Sequence, residues 1–355
     1  MRKPRLFSVL AAGLAAAITL NSQAAQKDTF SVCWTLYAGW MPWEYGATQG
    51  IVDKWAKKYG INIDVVQLND YVESINQYSA GQFDGCTMTN MDALTIPAAG
   101  GIDSTALIVG DFSNGNDGVV LKGEKKTLAD LKGQNVNLVE LSVSHYLLAR
   151  GLEKAGLSER DLKVVNTSDA DMVAAFATQD VTAVTTWNPL LAEIEATPGV
   201  TKVFDSSQIP GEIIDLMVVN SDTLKDNPAL GKALTGAWYE IMATMSDSGA
   251  AGQAAREHMA KASGTDLQSY EAQLATTKMF YSAKDAVAFT KSPRLPETMS
   301  KVAAFSFTHG LLGEGAQSAD AIGMSFAGDV TTGDQGNLKL RFDPTYMQMA
   351  ADGQL

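Results

Sequence analysis

Apolar positions along the chain fall into two periodicities that alternate from one segment to the next. Short apolar runs of the length of strands lie between longer segments with apolar residues at helical spacing. The predicted strands are residues 30–34, 61–68, 83–89, 105–109, 118–121, 135–139, 162–166, 181–186, 202–205 and 213–220. The predicted helices are residues 43–58, 70–79, 92–99, 143–155, 170–179, 189–196, 233–245, 252–262 and 297–310, and an irregular tail is expected from about residue 328. This alternation predicts repeated βαβ units and parallel sheets, hence an α/β fold.

Two sets of these α/β units can be separated along the chain. The polar stretch 122–126 follows the first set, and the apolar run 213–220 resembles a chain that returns to it. We therefore expect two lobes, each built on a parallel sheet: lobe I from residues 26–120 and 217–355, and lobe II from residues 121–216. Two crossings, near residues 119–125 and 210–219, would form the hinge between them.

The first residues have the pattern of an export signal. Arg2, Lys3 and Arg5 precede an apolar run over residues 6–20, and small residues follow at 22–24. This order of basic, apolar and small residues is typical of a secretory signal peptide. We expect residues 1–25 to be removed by cleavage near residue 24, which would leave an exported, periplasmic protein.

Charge and cysteine usage narrow the class of partner. The full chain has a formal net charge of −13, and without the three basic residues of the signal it has 24 basic and 40 acidic residues. Such acidity argues against nucleic acid, whose binding needs cationic surface. Cys33 and Cys86 are the only cysteines. Export would permit a disulfide, but both lie in apolar strand-like runs, and we favour two buried thiols over a bridge.

An aromatic cluster follows the first predicted strand. Half of the six tryptophans lie within ten residues, as Trp34, Trp40 and Trp43, and Glu44 comes next. Strand-to-helix turns are where open α/β sheets bind ligands. Aromatic faces beside a carboxylate suit a small cation. The alternative is that these rings are partly core, because tryptophan usually buries most of its surface.

The loops predicted to line the cleft contain neither Lys nor Arg. They are residues 35–43, 69–71, 90–92, 111–118, 140–146, 167–171 and 187–189. Between Lys58 and Lys122 the chain has eight acidic residues and no basic one. An anion usually recruits Arg, Lys or an exposed helix N-terminus. The loop composition therefore favours a cation, with a planar amide such as urea as an intermediate case.

Several side chains of these loops are candidates for ligand contact. Each has a structural alternative: a helix cap for Asp92, a first-turn helix acid for Glu44, core packing for Trp187. Glu140 and Asp215 adjoin or interrupt apolar runs, where an unpaired acid is costly. The predicted ligand-binding set is Trp40, Trp43, Glu44, Asn90, Asp92, Glu140, Tyr146, Trp187 and Asp215, and Asp111 is a further candidate carboxylate.

Catalytic patterns are not evident. His145, His258 and His309 are far apart in sequence and form no metal-spaced pair. No nucleophile elbow or phosphate-binding glycine loop follows a predicted strand. We therefore expect no metal, no cofactor and no enzymatic activity.

The chain resembles the periplasmic solute-binding proteins of ABC transporters. The resemblance is carried by Cys33-Trp34, the run from Gly39 to Trp43, Asn69-Asp70-Tyr71, the run from Thr89 to Asp92 and the run from Thr186 to Pro189. It is similar to the branch for nitrate, sulfonate, taurine and pyrimidine precursors, and within it to a subfamily found beside urea-carboxylase genes. The resemblance implies a type II-like, two-lobed fold that closes on its ligand, a monomer, and a permease and ATPase as partners.

Together these features predict a receptor for a small planar nitrogen-rich solute, guanidinium before urea. Three alternatives stay open. The solute could be of the sulfonate, nitrate or taurine type, as in relatives of the branch. The protein could be an enzyme like the precursor-forming synthase of the same fold, or a surface interaction protein without a small ligand.

Overall fold

The structure is a computed structural model and describes residues 27–355. The predicted signal peptide, residues 1–25, lies outside the described residues. Over the described range, every helix is too short or too polar to cross a bilayer.

Strands and helices alternate through most of the described chain. The strands are β1 Thr29–Trp34, β2 Asn62–Gln67, β3 Gly85–Thr89, β4 Ser104–Ser113, β5 Asp117–Lys122, β6 Asn135–Leu138, β7 Lys163–Asn166, β8 Ala183–Trp187, β9 Val200–Asp205, β10 Ile214–Asn220, β11 Thr277–Met279, β12 Gly323–Phe326, β13 Val330–Thr332 and β14 Leu338–Phe342. The helices are α1 Met41–Thr48, α2 Ile51–Lys58, α3 Tyr71–Ser79, α4 Asn90–Ala93, α5 Val143–Lys154, α6 Asp169–Ala177, α7 Leu190–Glu195, α8 Ser221–Asp226, α9 Pro228–Ser246, α10 Ala250–Ala262, α11 Leu267–Ala275, α12 Ala283–Thr290, α13 Arg294–Thr308 and α14 Thr345–Ala351.

Two sheets organise these elements. The first has the order β13-β12-β14-β4-β10-β3-β1-β2, with β11 also paired to β4. The second has the order β7-β6-β8-β5-β9. Helices pack against both sheets, and the buried strands read as nearly continuous apolar runs because both of their faces are covered. The α/β architecture predicted from the sequence is confirmed.

The two sheets, predicted to be parallel, also contain antiparallel pairs. β10 runs antiparallel to both β3 and β4, and β5 runs antiparallel to both β8 and β9. The reason is the path of the chain between the sheets. It leaves the first sheet after Ser113, enters the second at Asp117, and returns between Asp205 and Ile214. A strand that starts at such a crossing runs opposite to its βαβ neighbours. The first crossing therefore precedes the predicted hinge position of 119–125, and the second overlaps the predicted 210–219.

Two local predictions also need correction. The helix predicted over residues 43–58 is two helices, because Gly50 takes a left-handed conformation with φ of 70° and ends α1 before α2 begins. The tail predicted to be irregular contains β13, β14 and α14. β14 pairs in parallel with β4, and Phe342 stacks on Phe326 with ring centroids 5.3 Å apart. Its alternating apolar residues Leu340 and Phe342 are buried in the core.

Cys33 and Cys86 form a disulfide, so the expectation of two free thiols is wrong. The two residues are register neighbours on β1 and β3, with Cα atoms 4.4 Å apart. The sequence placed both cysteines in strands, but it did not reveal that these two strands are adjacent and aligned at these positions.

Candidate functional site

A small enclosed cavity lies between the two sheets, where β1, β3, β6 and β8 end. The volume within it that the centre of a water-sized group can occupy is about 20 Å³, a little more than a single water molecule needs. The lining consists of four aromatic rings, two carboxylates, a hydroxyl and two aliphatic side chains: Tyr37, Trp40, Tyr71, Trp187, Asp117, Asp215, Thr89, Val143 and Ile213. A lining of this composition suits a small guest with a flat face and polar edges.

The two sheets supply opposite walls of this cavity. Tyr37 and Trp40 follow β1, Tyr71 begins α3 after β2, and Thr89 ends β3. From the second sheet come Trp187 at the end of β8 and Val143 at the start of α5. The carboxyl ends of parallel strands share one edge of a sheet, so side chains distant in sequence converge there.

The aromatic rings pack against one another around the cavity. Tyr71 is the central ring: its centroid lies 5.9 Å from that of Trp40, in a stacked arrangement, and 5.6 Å from that of Trp187, edge to face. Tyr37 meets Trp40 edge to face at 5.0 Å. All four rings are buried. These contacts hold the rings in fixed orientations, so their π faces are ready to meet a flat guest.

Three buried carboxylates lie in or next to the cavity. Asp215 near the start of β10 and Asp117 at the start of β5 line it, and Asp111 on β4 pairs in register with Asp215. The Tyr37 hydroxyl donates a hydrogen bond of 3.0 Å to Oδ1 of Asp111. One oxygen of Asp111 and one of Asp215 are buried without a hydrogen-bond partner. Among the described lining residues there is no Lys, Arg or His.

Burial makes these carboxylates hard to ionise. It raises the pKa of Asp111 from 3.8 to about 7, against the lowering effect of Asp215 and Tyr37 as hydrogen-bond partners. Burial likewise raises the pKa of Asp117 to about 7, with a further upward contribution from the charge of Asp215. The pKa of Asp215 is raised well above its ordinary value by burial and then by the charge of Asp111. A cationic guest would favour the ionised forms.

Asp92 lies behind the aromatic wall. Its Oδ2 accepts hydrogen bonds from the hydroxyls of Tyr71, at 2.6 Å, and Thr89, at 2.8 Å. Burial raises the pKa of Asp92 to about 6, although these two hydroxyls and the amide of Val143 lower it. Tyr71 and Thr89 both line the cavity. Asp92 therefore orients two lining side chains and adds to the negative potential behind them.

Hydrogen bonds join the two walls across the cleft. The Trp187 Nε1–H donates to the Leu36 carbonyl at 3.3 Å, and the Ala38 amide donates to the Asn188 carbonyl at 3.4 Å. The Ser168 hydroxyl donates to Asp70 at 3.1 Å. These contacts close the walls over the cavity and keep it from open solvent.

The structure brings together three of the nine side chains predicted to bind a ligand: Trp40, Trp187 and Asp215. Asp92 does not line the cavity but accepts hydrogen bonds from two residues that do, Tyr71 and Thr89. Trp43 packs on Trp238, with centroids 5.1 Å apart, beside a smaller adjoining cavity. Of the rest, Glu44 pairs with His258, and Asn90 bonds the backbone of Glu212 and Ile214. The Tyr146 hydroxyl donates to Glu212, and Glu140 is exposed. These four side chains lie outside the cavity lining.

Sequence reasoning did not name three polar residues of the site: Tyr37, Tyr71 and Asp117. All three lie in loops that it assigned to the cleft, so the loop positions were a usable signal. Asp117 could have been found as the acid directly before the apolar run of residues 118–121. Tyr37 and Tyr71 resemble ordinary core rings in sequence, and only the cavity distinguishes them.

The fold and the enclosed cleft define an α/β protein with the architecture of periplasmic binding proteins. A family model described as "NMT1/THI5 like" matches residues 53–248, which is more than half of the chain. The chain belongs to this NMT1/THI5-like family.

Individual relatives are more distant. A Brucella abortus (strain 2308) protein, provisionally named as a binding protein, is 26% identical over 181 residues, which is 50% of this chain and 56% of the relative. The chain thus matches little more than half the length of these curated relatives. An Escherichia coli (strain K12) protein provisionally named as an aliphatic sulfonates-binding protein is 34% identical over 133 residues, 37% of this chain and 39% of its own.

Solved structures share the fold at low identity. The alkanesulfonate-binding protein SsuA of Xanthomonas axonopodis pv. citri, bound to MOPS, has a TM-score of 0.67 at 17% identity, over 82% of this chain and 96% of its own. The nitrate-binding protein NrtA of Synechocystis PCC 6803 has a TM-score of 0.58 at 12% identity, over 93% of this chain and 99% of its own.

Proposed function

We propose that this protein is the solute-binding component of an ABC importer and that its solute is a small planar nitrogen-rich cation, guanidinium before urea. The observation that carries the proposal is the cavity itself. The buried carboxylates of Asp117 and Asp215 line it together with four aromatic rings, Asp111 pairs in register with Asp215, and the described lining has no basic side chain.

Guanidinium matches this lining group by group. It has N–H donors around its edge and no acceptor, so it could pair with carboxylate oxygens through charge-assisted hydrogen bonds. The unpartnered oxygens of Asp111 and Asp215 are acceptors of that kind. Its flat faces could lie against Trp40 or Trp187, whose rings attract cations. The enclosed cleft would strengthen both interactions by excluding water.

The transport role is supported by the fold and by the family. A cleft closed by contacts between two sheets is the usual capture device of binding proteins. We propose a monomer with lobe I formed by residues 26–120 and 217–355 and lobe II by residues 121–216. It acts in the periplasm and delivers its solute to a permease with an ATPase. No His or Cys lines the cavity among the described residues, which favours binding over nucleophilic catalysis.

A second candidate is a receptor for an anion of the sulfonate or nitrate type. The names of the Escherichia coli, Xanthomonas and Synechocystis relatives favour it. Within the site, the indole N–H of Trp40 is a buried donor without an acceptor. A carboxyl with its pKa raised to about 7 could also donate from its protonated form. Against it, an anion would meet the two buried acids of the lining, Asp117 and Asp215, and no compensating cation.

Titration calorimetry with guanidinium, urea, taurine and nitrate on the mature protein tests the proposal. We expect guanidinium to bind with the highest affinity, urea more weakly, and the two anions not at all. Tight binding of taurine or nitrate without competition from guanidinium would establish the second candidate instead.

Two matched substitutions locate the site. Asp215→Asn removes a buried carboxylate of the cavity, whereas Glu140→Gln makes the same chemical change at an exposed acid outside it. We expect Asp215→Asn to weaken guanidinium binding at least about tenfold, since a charge-assisted hydrogen bond contributes roughly 1.5–3 kcal/mol. Glu140→Gln should bind as the wild type does. Equal effects of the two substitutions would contradict the placement of the site.

A further inference from the structure

The turn that leads into α5 has an unusual backbone conformation. Leu141 has a φ of 65°, in the left-handed region that favours glycine, and its side chain is 40% exposed. An exposed leucine gains little from burial that could offset this conformation. The turn joins β6 to α5, whose first residue, Val143, lines the cavity. The conformation of Leu141 therefore determines where the second sheet meets the solute.

A buried histidine holds this turn. The Leu141 amide donates a hydrogen bond of 3.1 Å to Nδ1 of His145, which is only 3% exposed. The Ser142 hydroxyl donates to the Val139 carbonyl at 2.7 Å, and its oxygen accepts from the Ser144 amide at 3.2 Å. Since Nδ1 is an acceptor here, the proton of the neutral ring must be on Nε2.

Glu159 lies near the other nitrogen of the ring. The Nε2 of His145 is 3.2 Å from Oε1 of Glu159, but it is buried without a hydrogen-bond partner, so the hydrogen bond from the Leu141 amide alone indicates the tautomer. The same carboxylate contacts Nε2 of His309, the residue directly after α13, at 2.8 Å. The Nδ1 of His309 lies 2.8 Å from the Phe305 carbonyl, and Phe305 packs edge to face on His145 at 5.9 Å. The groups that face the His145 ring are therefore Glu159, His309, Phe305 and the Leu141 amide.

A metal ion is the competing interpretation of this cluster. Ligand atoms of His145, Glu159 and His309 all lie within 4.8 Å of one another, and two histidines with a glutamate can bind zinc. Coordination through Nε2 of His145 would move the ring proton to Nδ1. That nitrogen already accepts the Leu141 N–H. The hydrogen bonds therefore fit a proton on Nε2 better than a metal.

We propose that His145 is a positioning residue for solute binding: it holds Leu141 in its left-handed conformation and thereby sets the start of α5 against the cavity. The imidazole itself touches no solute. The amide of Val143 lies close enough to Asp92 to lower the pKa of that carboxyl, so the turn is also linked to the wall formed by Tyr71 and Thr89. This inference rests on the proposed function of the cavity.

Three substitutions distinguish the role of Nδ1 of His145 from that of Nε2. His145→Asn retains an acceptor near the position of Nδ1, whereas His145→Gln retains a polar group only near Nε2. Leu141→Gly removes the conformational penalty of the turn. His258→Gln is the matched control, because His258 pairs with Glu44 away from this cluster.

Hydrogen exchange of the Leu141 amide, without solute, is the first measurement. We expect protection in the wild type, His145→Asn and His258→Gln, and exchange about tenfold faster in His145→Gln. Guanidinium affinity is the second measurement. It should fall about fivefold to tenfold in His145→Gln, as for loss of one buried hydrogen bond. It should stay within about twofold of the wild type in His145→Asn and recover in Leu141→Gly/His145→Gln.

The inference is overturned if His145→Asn loses as much affinity and amide protection as His145→Gln. It is also overturned if zinc raises the melting temperature of the wild type but not of His309→Ala, since a metal would then occupy Nε2. If the wild type binds no guanidinium, the proposed function fails, and the exchange of the Leu141 amide still decides whether His145 holds the turn.

Discussion

Asp111 and Asp215 lie opposite each other on the antiparallel strands β4 and β10, both fully buried, and each has an oxygen without a hydrogen-bond partner. Two carboxylates in such an arrangement cannot both ionise without cost, and the pKa of each is raised. Either a bound proton or a bound cation can relieve the repulsion between the two carboxylates. This repulsion connects the fold to its proposed solute.

Removing one member of this pair should stabilise the empty protein. We expect Asp111→Asn to raise the melting temperature at about pH 8, because the amide ends the repulsion between neighbouring carboxylates. The same change should weaken guanidinium binding at least about tenfold. Scanning calorimetry and titration calorimetry measure the two effects. A variant that is less stable and binds guanidinium normally would show that the carboxylate has a purely structural role.

The stability of the empty protein should fall as the pH rises. The pKa is raised from 3.8 to about 6 in Asp92 and to about 7 in Asp111 and Asp117. The folded state therefore binds more protons than the unfolded state between about pH 4 and 7, and this stabilisation is lost as the pH rises through 6 to 7. For Asp117 alone the loss between about pH 5 and 8 is about 3 kcal/mol, at roughly 1.4 kcal/mol per pKa unit.

Urea unfolding followed by tryptophan fluorescence at these two pH values measures this loss. Asp117→Asn should flatten the profile, and saturating guanidinium should restore stability mainly at the higher pH. A profile that rises from pH 5 to 8 in the empty protein would contradict the buried, proton-retaining state of these acids.

Substitution of Trp187 should lower the affinity for a charged solute more than the affinity for a neutral one. Its ring lines the cavity, and its Nε1–H closes the cleft onto Leu36. Trp187→Leu should reduce guanidinium affinity by about 1–2 kcal/mol, the magnitude of a desolvated cation–π contact. Urea affinity should fall less. Trp55→Leu is the matched control, because Trp55 stacks on Tyr59 and donates to Glu240 outside the cavity. Equal losses for both solutes would argue against a cation–π contact.

The disulfide should contribute strongly to stability. Cys33 and Cys86 close a segment with a sequence separation of 53 residues, for which loop-closure entropy gives about 4 kcal/mol. Cys33→Ser/Cys86→Ser should therefore have a markedly lower melting temperature than the oxidised wild type. Reduction of the wild type with dithiothreitol should reproduce most of the loss. An unchanged melting temperature in both cases would mean that the bridge does not constrain the unfolded chain.

The sequence alone determined the α/β class, most strands and the acidic, aromatic character of the predicted cleft loops. These follow from local properties: the spacing of apolar residues, the positions of Gly and Pro, and the absence of Lys and Arg over a long stretch. Trp40, Trp187 and Asp215 were predicted because they follow or interrupt such apolar segments, and all three line the cavity. Tyr37 and Tyr71 lay in the right loops but had no local feature that set them apart.

Only the tertiary structure decided which residues meet. The antiparallel start of β10 puts Asp215 opposite Asp111, and the adjacency of β1 and β3 joins Cys33 to Cys86. The tertiary structure also leaves Glu140 exposed to solvent and places the Tyr146 hydroxyl against Glu212. Strand order and register depend on contacts between residues far apart in the chain, and the local pattern of apolar and polar positions does not encode those pairings. The chemistry of the loops could therefore be predicted from the sequence, whereas the arrangement of its groups around one cavity could not.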